Sequence, residues 1–397
     1  MVPRRVAEGV YWVGALDWDR RLFDELIPLP DGTSYNAYLI QGARRVALID
    51  TVDPSKVERL LDSLRDLNIE RIDYVVANHA EQDHSGSIPE ILEAYPEASV
   101  VATPRCRELL MDLLHLPEER IKTVEDGEQL SLGDKTLEFI HAPWVHWPET
   151  MLTYLREQRI LFTCDLFGSH LATSDLSVRD EGEIYEAAKR YYAEIMMPFR
   201  TIIHRHLERI RELEVDIIAP SHGPIYENPA LILDAYERWI SDEVENEVVI
   251  IYVSMHGSTG EMVARLVDAL MGRGVGVKPF NLTVTDIGEL AIALVDAATL
   301  VVASPTVLGG PHPSILYAAH IINALRPKLR YIALITSYAW GGRTLKMLKE
   351  TLSGLQAEII DSIEIKGKTR ERDLERMDRL AEEILNKHQE IGVFKEE

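Results

Sequence analysis

In the first half of the chain, short runs rich in β-branched and aromatic residues predict strands over 34–40, 45–50, 72–78 and 99–102. Apolar positions at helical spacing predict helices between them, over 55–67 and 88–95. Further short strands predicted over 136–141, 151–155 and 159–163 interrupt any simple β-α-β repeat, so the pattern points to a layered α/β unit with mixed sheets. A strand over 216–220 closes this half, and a helix over 229–241 follows it.

The second half is more regular. Strands predicted over 248–254, 275–281, 299–304, 331–337 and 358–365 alternate with helices. In one helix Met262, Val263, Leu266, Val267, Leu270 and Met271 share a face, and Leu374, Met377, Ala381, Ile384 and Leu385 repeat that logic in the last helix. This predicts a five-stranded parallel sheet covered on both sides. The acidic stretch 242–247 separates the halves and divides the chain into units of 1–245 and 246–397. No internal repeat or low-complexity segment is present.

Length agrees with two units, since 397 residues exceed one ordinary domain. Hydrophobic residues make up 46% and charged residues 27%, as in globular proteins, and no apolar run is long enough to span a bilayer. The N-terminal residues carry charge but no following apolar stretch, so a cytoplasmic protein is expected, without a membrane partner. A net charge of -23 with no dense basic stretch excludes nucleic acid as the expected partner. Small molecules and redox partners remain. The two cysteines, Cys106 and Cys164, form neither a disulfide framework nor a Cys-x-x-Cys site, so any metal is left to histidine and carboxylate.

Such ligands are dense at His79-Ala80-Glu81-Gln82-Asp83-His84, directly after an apolar strand. Polar residues at strand ends also cap turns. Three later segments nevertheless offer one more ligand each in the same context: His146 before Trp147-Pro148, Asp165 after 160–164, and His222 after 217–220. Singly each would be a structural histidine or a capping aspartate. Together they supply His79, Glu81 and His146 to one ion and Asp83, His84 and His222 to a second. Asp165 is the expected bridge, since one carboxylate holds two cations about 3.5–4 Å apart while partly neutralising them.

This set resembles the metallo-β-lactamase superfamily, whose hydrolases generally read His-x-His-x-Asp-His. Glu81 stands where the second histidine would be, and a hard carboxylate oxygen favours iron or manganese over zinc. The Glu-containing version is similar to that of the flavodiiron proteins, or A-type flavoproteins, in which both ions are iron. His170, in Gly168-Ser169-His170, and the pair Tyr191 and Tyr192 are candidates for orienting ligands or donating protons. A tyrosine pair on a helix also serves packing.

In the second unit, Ser254-Met255-His256-Gly257-Ser258-Thr259-Gly260 lies between the first strand and its helix, where backbone N–H groups and hydroxyls hold a phosphate. It lacks the Gly-Lys-Ser/Thr ending of a Walker loop, and alone it reads equally as a helix cap. Two more loops leave strand ends on the same edge: Ser304-Pro305-Thr306-Val307-Leu308-Gly309 and Ser337-Tyr338-Ala339-Trp340-Gly341-Gly342. The three together resemble a flavodoxin, which implies FMN. Leu308 departs from many flavodiiron proteins, which place Asn there, so one side-chain contact to the flavin is expected to be missing.

The resemblance covers almost the whole chain. It implies a metallo-β-lactamase-like αββα sandwich followed by a flavodoxin-like doubly wound sheet, two irons and FMN per chain, and reduction of O2 to water or of NO to N2O. With two cysteines there is no rubredoxin-like segment, so an external donor, rubredoxin or a reductase, is expected. The family also implies a head-to-tail homodimer, or a dimer of dimers, that brings one subunit's flavin near the other's metals. Two alternatives stand beside this reading: a zinc hydrolase with a regulatory flavodoxin-like unit, and an FMN- and iron-binding redox sensor that is not an enzyme.

Overall fold

The structure is a computed structural model and describes residues 2–394. The chain forms two compact units: one runs to Tyr192 and resumes over Phe199–Ile240, and the other comprises Ala193–Pro198 and Ser241 onward. The acidic segment thus falls with the second unit, and its first strand begins at Glu245, whose N–H donates to the Asp296 carbonyl.

Two mixed sheets build the first unit. The seven-stranded sheet contains Arg4–Ala7, Val10–Trp12, Tyr38–Gln41, Val46–Ile49, Tyr74–Val76, Ser99–Ala102 and Ile121–Thr123, in that spatial order. The five-stranded sheet runs Gln129–Ser131, Thr136–His141, Met151–Leu155, Ile160–Cys164 and Ile217–Pro220. Trp12, Tyr38, Ile49 and Val76 of the first sheet meet Leu137, Phe139, Met151 and Phe162 of the second in one buried core. The opposite face of the larger sheet buries Leu39, Leu48 and Val75 against Leu60 and Leu64 of helix Val57–Asp66, Ile91 of Ile88–Ala94 and Leu110 of Pro104–Leu114. Alternation along each strand, with successive side chains on opposite faces, is what permits both cores at once.

The strands over 99–102, 136–141 and 151–155 have the expected bounds. That expected over 34–40 is two strands, Thr33–Tyr35 and Tyr38–Gln41, in different sheets. Asn36 explains the break. Its backbone N–H donates to the Ser221 carbonyl, and its side chain takes the Trp12 indole N–H and donates to the carbonyls of Pro220 and Gly223. The chain leaves the sheet there to hold the loop that carries His222.

The second unit has five parallel strands in the spatial order Gly276–Asn281, Glu245–Tyr252, Ala297–Val307, Tyr331–Tyr338 and Glu358–Lys366. In sequence order this is 2-1-3-4-5, the flavodoxin-like arrangement. Val249, Ile251, Leu300 and Val302 face one helical layer, while Val248, Ile250, Val301 and Ala303 face the other. Met262, Val263, Leu266 and Leu270 of helix Ser258–Met271 are buried as the periodicity requires, but Met271 is exposed at the helix end. No described helix is long and apolar enough to cross a membrane.

Candidate functional site

The ligand-bearing segments are fixed by backbone bonds before any side chain converges. Asp50 accepts both the backbone and side-chain N–H of Asn78 at 2.8 and 2.9 Å, and the Asn78 carbonyl takes the Met151 N–H, tying the two sheets together. His79 follows directly. Glu81 precedes a single helical turn, Gln82–Ser85, which presents Asp83 and His84, and the His84 carbonyl is held by the Thr51 hydroxyl at 2.6 Å. Asp165 follows Ile160–Cys164, and His222 lies two residues past Ile217–Pro220.

The structure brings all seven expected ligands together in two groups. His79 Nε2 lies 3.1 Å from Glu81 Oε2 and 3.5 Å from Asp165 Oδ2, and His146 Nε2 lies 3.2 and 3.4 Å from the same two oxygens. On the other side, His84 Nε2 lies 3.3 Å from Asp83 Oδ1 and 2.9 Å from Asp165 Oδ1. His222 Nε2 lies 3.2 Å from Asp83 Oδ2 and 3.5 Å from Asp165 Oδ1. Asp165 therefore turns one oxygen to each group. Donor atoms about 2.0–2.2 Å from one ion sit about 3–3.5 Å from each other, so these spacings are those that two bound cations require.

Unsatisfied atoms argue the same way. Both Asp83 oxygens, Asp165 Oδ2 and His84 Nε2 are buried and lack a hydrogen bond of proper geometry among the described residues. The electrostatics also favour positive charge. Burial alone would lower His146 and His222, but the carboxylate of Asp165, with that of Glu81 or Asp83, stands beside each ring and pushes them up to about 9 and about 10. His170 goes the other way: burial, then the charge of His222, hold it well below the ordinary histidine range. The residues fit a two-metal site of nitrogen and carboxylate ligands.

Around it, Tyr191 donates its hydroxyl to Asp165 Oδ1 at 2.9 Å, and His170 Nδ1 is 2.9 Å from the Thr33 hydroxyl with its ring against Tyr191 and His222. Tyr192 corrects the expectation for the pair. It donates instead to the Trp239 carbonyl and packs with Tyr236 and Trp239, because successive helical residues point about 100° apart. Sequence reasoning missed Glu149, which meets His79 Nδ1 at 2.7 Å, and Phe23, whose ring lies 5.3 Å from that of His170. Only the position of Glu149, three residues beyond His146, hinted at it.

In the second unit a cavity of about 450 Å³ opens at the carboxyl edge of the parallel sheet. Met255, His256, Ser258 and Thr259 line it from the first loop, Pro305 and Thr306 from the second, and Ser337, Tyr338, Ala339 and Trp340 from the third. The other expected residues shape these loops rather than the cavity wall. Ser254 Oγ accepts the Gly260 N–H and Ser304 Oγ the His312 N–H, each at 3.0 Å. Val307, Leu308, Gly309 and Gly310 make a tight return, and Leu308 is 98% exposed, turned to solvent. Gly257 takes a φ of 92°, while a Cβ on Gly342 would stand 2.5 Å from Thr306 Cγ2, a close approach that Gly341-Gly342 alone permits. A fourth loop, unanticipated, adds Gly367 and Lys368 and is stitched to the first by Ser258 Oγ donating to the Gly367 carbonyl. A larger cavity, about 1330 Å³, lies at the amino ends of the strands beside Glu245, Asn246 and Arg330, away from these convergent loops.

Two face-to-face mixed sheets carrying a histidine and carboxylate cluster define a metallo-β-lactamase-like unit, and the 2-1-3-4-5 parallel sheet defines a flavodoxin-like one. Residues 33–223 match the model of the ODP family beta lactamase. The chain is 38% identical to a nitric oxide reductase of Moorella thermoacetica over 90% of this chain and 91% of that protein. Rubredoxin oxygen:oxidoreductase from Desulfovibrio gigas superposes with a TM-score of 0.94 at 26% identity, covering 98% of this chain and 99% of that one. The flavodiiron protein from Giardia intestinalis does so with 0.93 at 28% identity, covering 98% and 97%. The chain belongs to the flavodiiron family.

Proposed function

We propose that the protein is a flavodiiron oxidoreductase that reduces O2 to water, NO to N2O, or both, with electrons taken from an external donor such as rubredoxin or a reductase. The observation that carries this is the division of Asp165 between two groups of ligand atoms. His79, Glu81 and His146 would hold one iron, Asp83, His84 and His222 the other, and the loops around Thr259, Thr306 and Trp340 would hold FMN. When bound, two ferrous ions and a reduced flavin supply the four electrons that O2 requires, of which two suffice to join two NO molecules. The Moorella relative, named for NO, and the Desulfovibrio structure, named for oxygen and rubredoxin, support both gases and such a donor.

The chain's own residues prepare the site. Asp165 would hold the two cations, Tyr191 fixes that carboxylate, and His170, kept neutral by burial, stands against His222 with Nε2 unpaired among the described residues. We assign the metals to the unit that ends at Ile240 and FMN to the unit that begins at Ser241, five residues before the boundary expected at 245/246, and we expect a cytoplasmic head-to-tail homodimer or a dimer of dimers. Metal analysis and the visible spectrum of the purified protein test the proposal: two irons and one FMN per chain are expected. Two zinc ions without flavin would mean the hydrolase reading, and failure to turn over repeatedly with a donor present would mean the sensor reading. Steady-state rates with O2 and with NO then rank the gases.

A further inference from the structure

Glu149 is enclosed as completely as any ligand, its side chain 0% exposed, yet among the described residues its ion-pair partner is His79 and not a Lys or Arg. Oε1 accepts from His79 Nδ1 at 2.7 Å and from the Ala80 backbone N–H at 3.1 Å, while Oε2 is buried without a partner. Its backbone is held as firmly: the Thr103 hydroxyl donates to the Glu149 carbonyl at 3.0 Å and, as the cap of helix Pro104–Leu114, accepts the Cys106 N–H at 3.0 Å. A buried carboxylate is costly unless its charge is matched. Here the charge is directed at one histidine.

The other histidines are served differently. His222 Nδ1 meets the Ser34 carbonyl at 2.6 Å, and His84 Nδ1 has no partner among the described residues. A carbonyl fixes the tautomer without adding a full charge. A carboxylate both fixes the Nδ1–H tautomer and makes the opposite nitrogen a stronger donor. Since Nε2 of His79 points to Glu81 Oε2 and Asp165 Oδ2, that effect falls on one of the two ion positions alone.

We propose that Glu149 is a positioning residue for His79 and makes the two irons unequal, the ion on the His79, Glu81 and His146 side being the more electron-rich and the more easily oxidised. The inference rests on the di-iron reading. Glu149→Gln keeps the acceptor oxygen and the size but removes the charge, whereas Glu149→Ala removes both. In the purified holoprotein, competition with a chelator would measure iron affinity, and an EPR-monitored redox titration would measure the potentials of the iron pair. Glu149→Ala should weaken iron binding about 10–100-fold with flavin content unchanged. Glu149→Gln should retain iron and raise the potential of one ion more than that of the other, a change that a packing role would not produce. Unchanged affinity in the first variant, or unchanged potentials in the second, overturns the proposal. A wild type that holds no iron pair would overturn the di-iron reading instead.

Discussion

Asp165 accepts the Tyr191 hydroxyl at 2.9 Å and the Ser221 hydroxyl at 3.2 Å, both on Oδ1, while its oxygens divide between the two ligand groups. Those donors hold the carboxylate plane, so its removal takes away the shared ligand and leaves the flavin cavity untouched. Asp165→Ala should lose at least one iron per chain and keep FMN, as elemental analysis beside the flavin absorbance would show. Retention of both irons would contradict the ligand arrangement. The neighbouring tyrosines separate structure from chemistry in the same way. Tyr192→Phe removes the bond to the Trp239 carbonyl and should cost about 1 kcal/mol in urea unfolding with iron content unchanged. Tyr191→Phe frees Asp165 from one donor and should alter the spectrum of the iron pair.

At the level of elements, the last helix, Glu371–Glu390, is fastened to the sheet by a polar staple as well as by Met377, Leu380, Ala381 and Ile384. His388 Nε2 meets the Thr299 hydroxyl and Nδ1 the Asn246 side-chain oxygen, each at 2.8 Å. Burial pushes this histidine down to about 4, from an unfolded value of 6.5. The neutral ring therefore stabilises the fold: its contribution is complete above about pH 6.5 and is lost as pH falls towards about 4. Release of flavin fluorescence in urea would follow this. The wild type should lose stability across that window by more than His388→Gln, and parallel losses in the two proteins would rule the histidine out.

For the whole molecule, the proposed head-to-tail dimer makes a prediction that neither unit makes alone. Each chain weighs 45.0 kDa, so sedimentation should give twice that mass or four times it. Hybrid dimers test the route of electrons. An Asp165→Ala chain that keeps its flavin, mixed with a chain whose phosphate loop is disabled by Ser258→Asp and Thr259→Asp, should recover turnover if electrons cross between subunits. Added negative charge at that loop would repel the phosphate of FMN. No recovery in a mixture shown to contain hybrids would place transfer within one chain.

The motif from His79 to His84 and the isolated His146, Asp165 and His222 were legible because each depends on residue type at the end of a strand, a local matter. The parallel sheet was legible for the same reason, through unbroken apolar runs such as 300–303. Beyond the reach of local pattern lay whatever joins distant segments. Glu149 reaches His79 across 70 positions, and the Ser34 hydroxyl takes the Gly223 N–H across 189. The split of Ser34 to Ile40 between two sheets, the separate duties of Tyr191 and Tyr192, and the fourth cavity loop at Gly367 and Lys368 all follow from such contacts. The sequence by itself determined which side chains are able to bind metal and where strands deliver them. Tertiary structure alone decided which oxygen of Asp165 faces which group and what stands behind each histidine, because a hydrogen bond is set by distance and angle between atoms that the chain order keeps far apart.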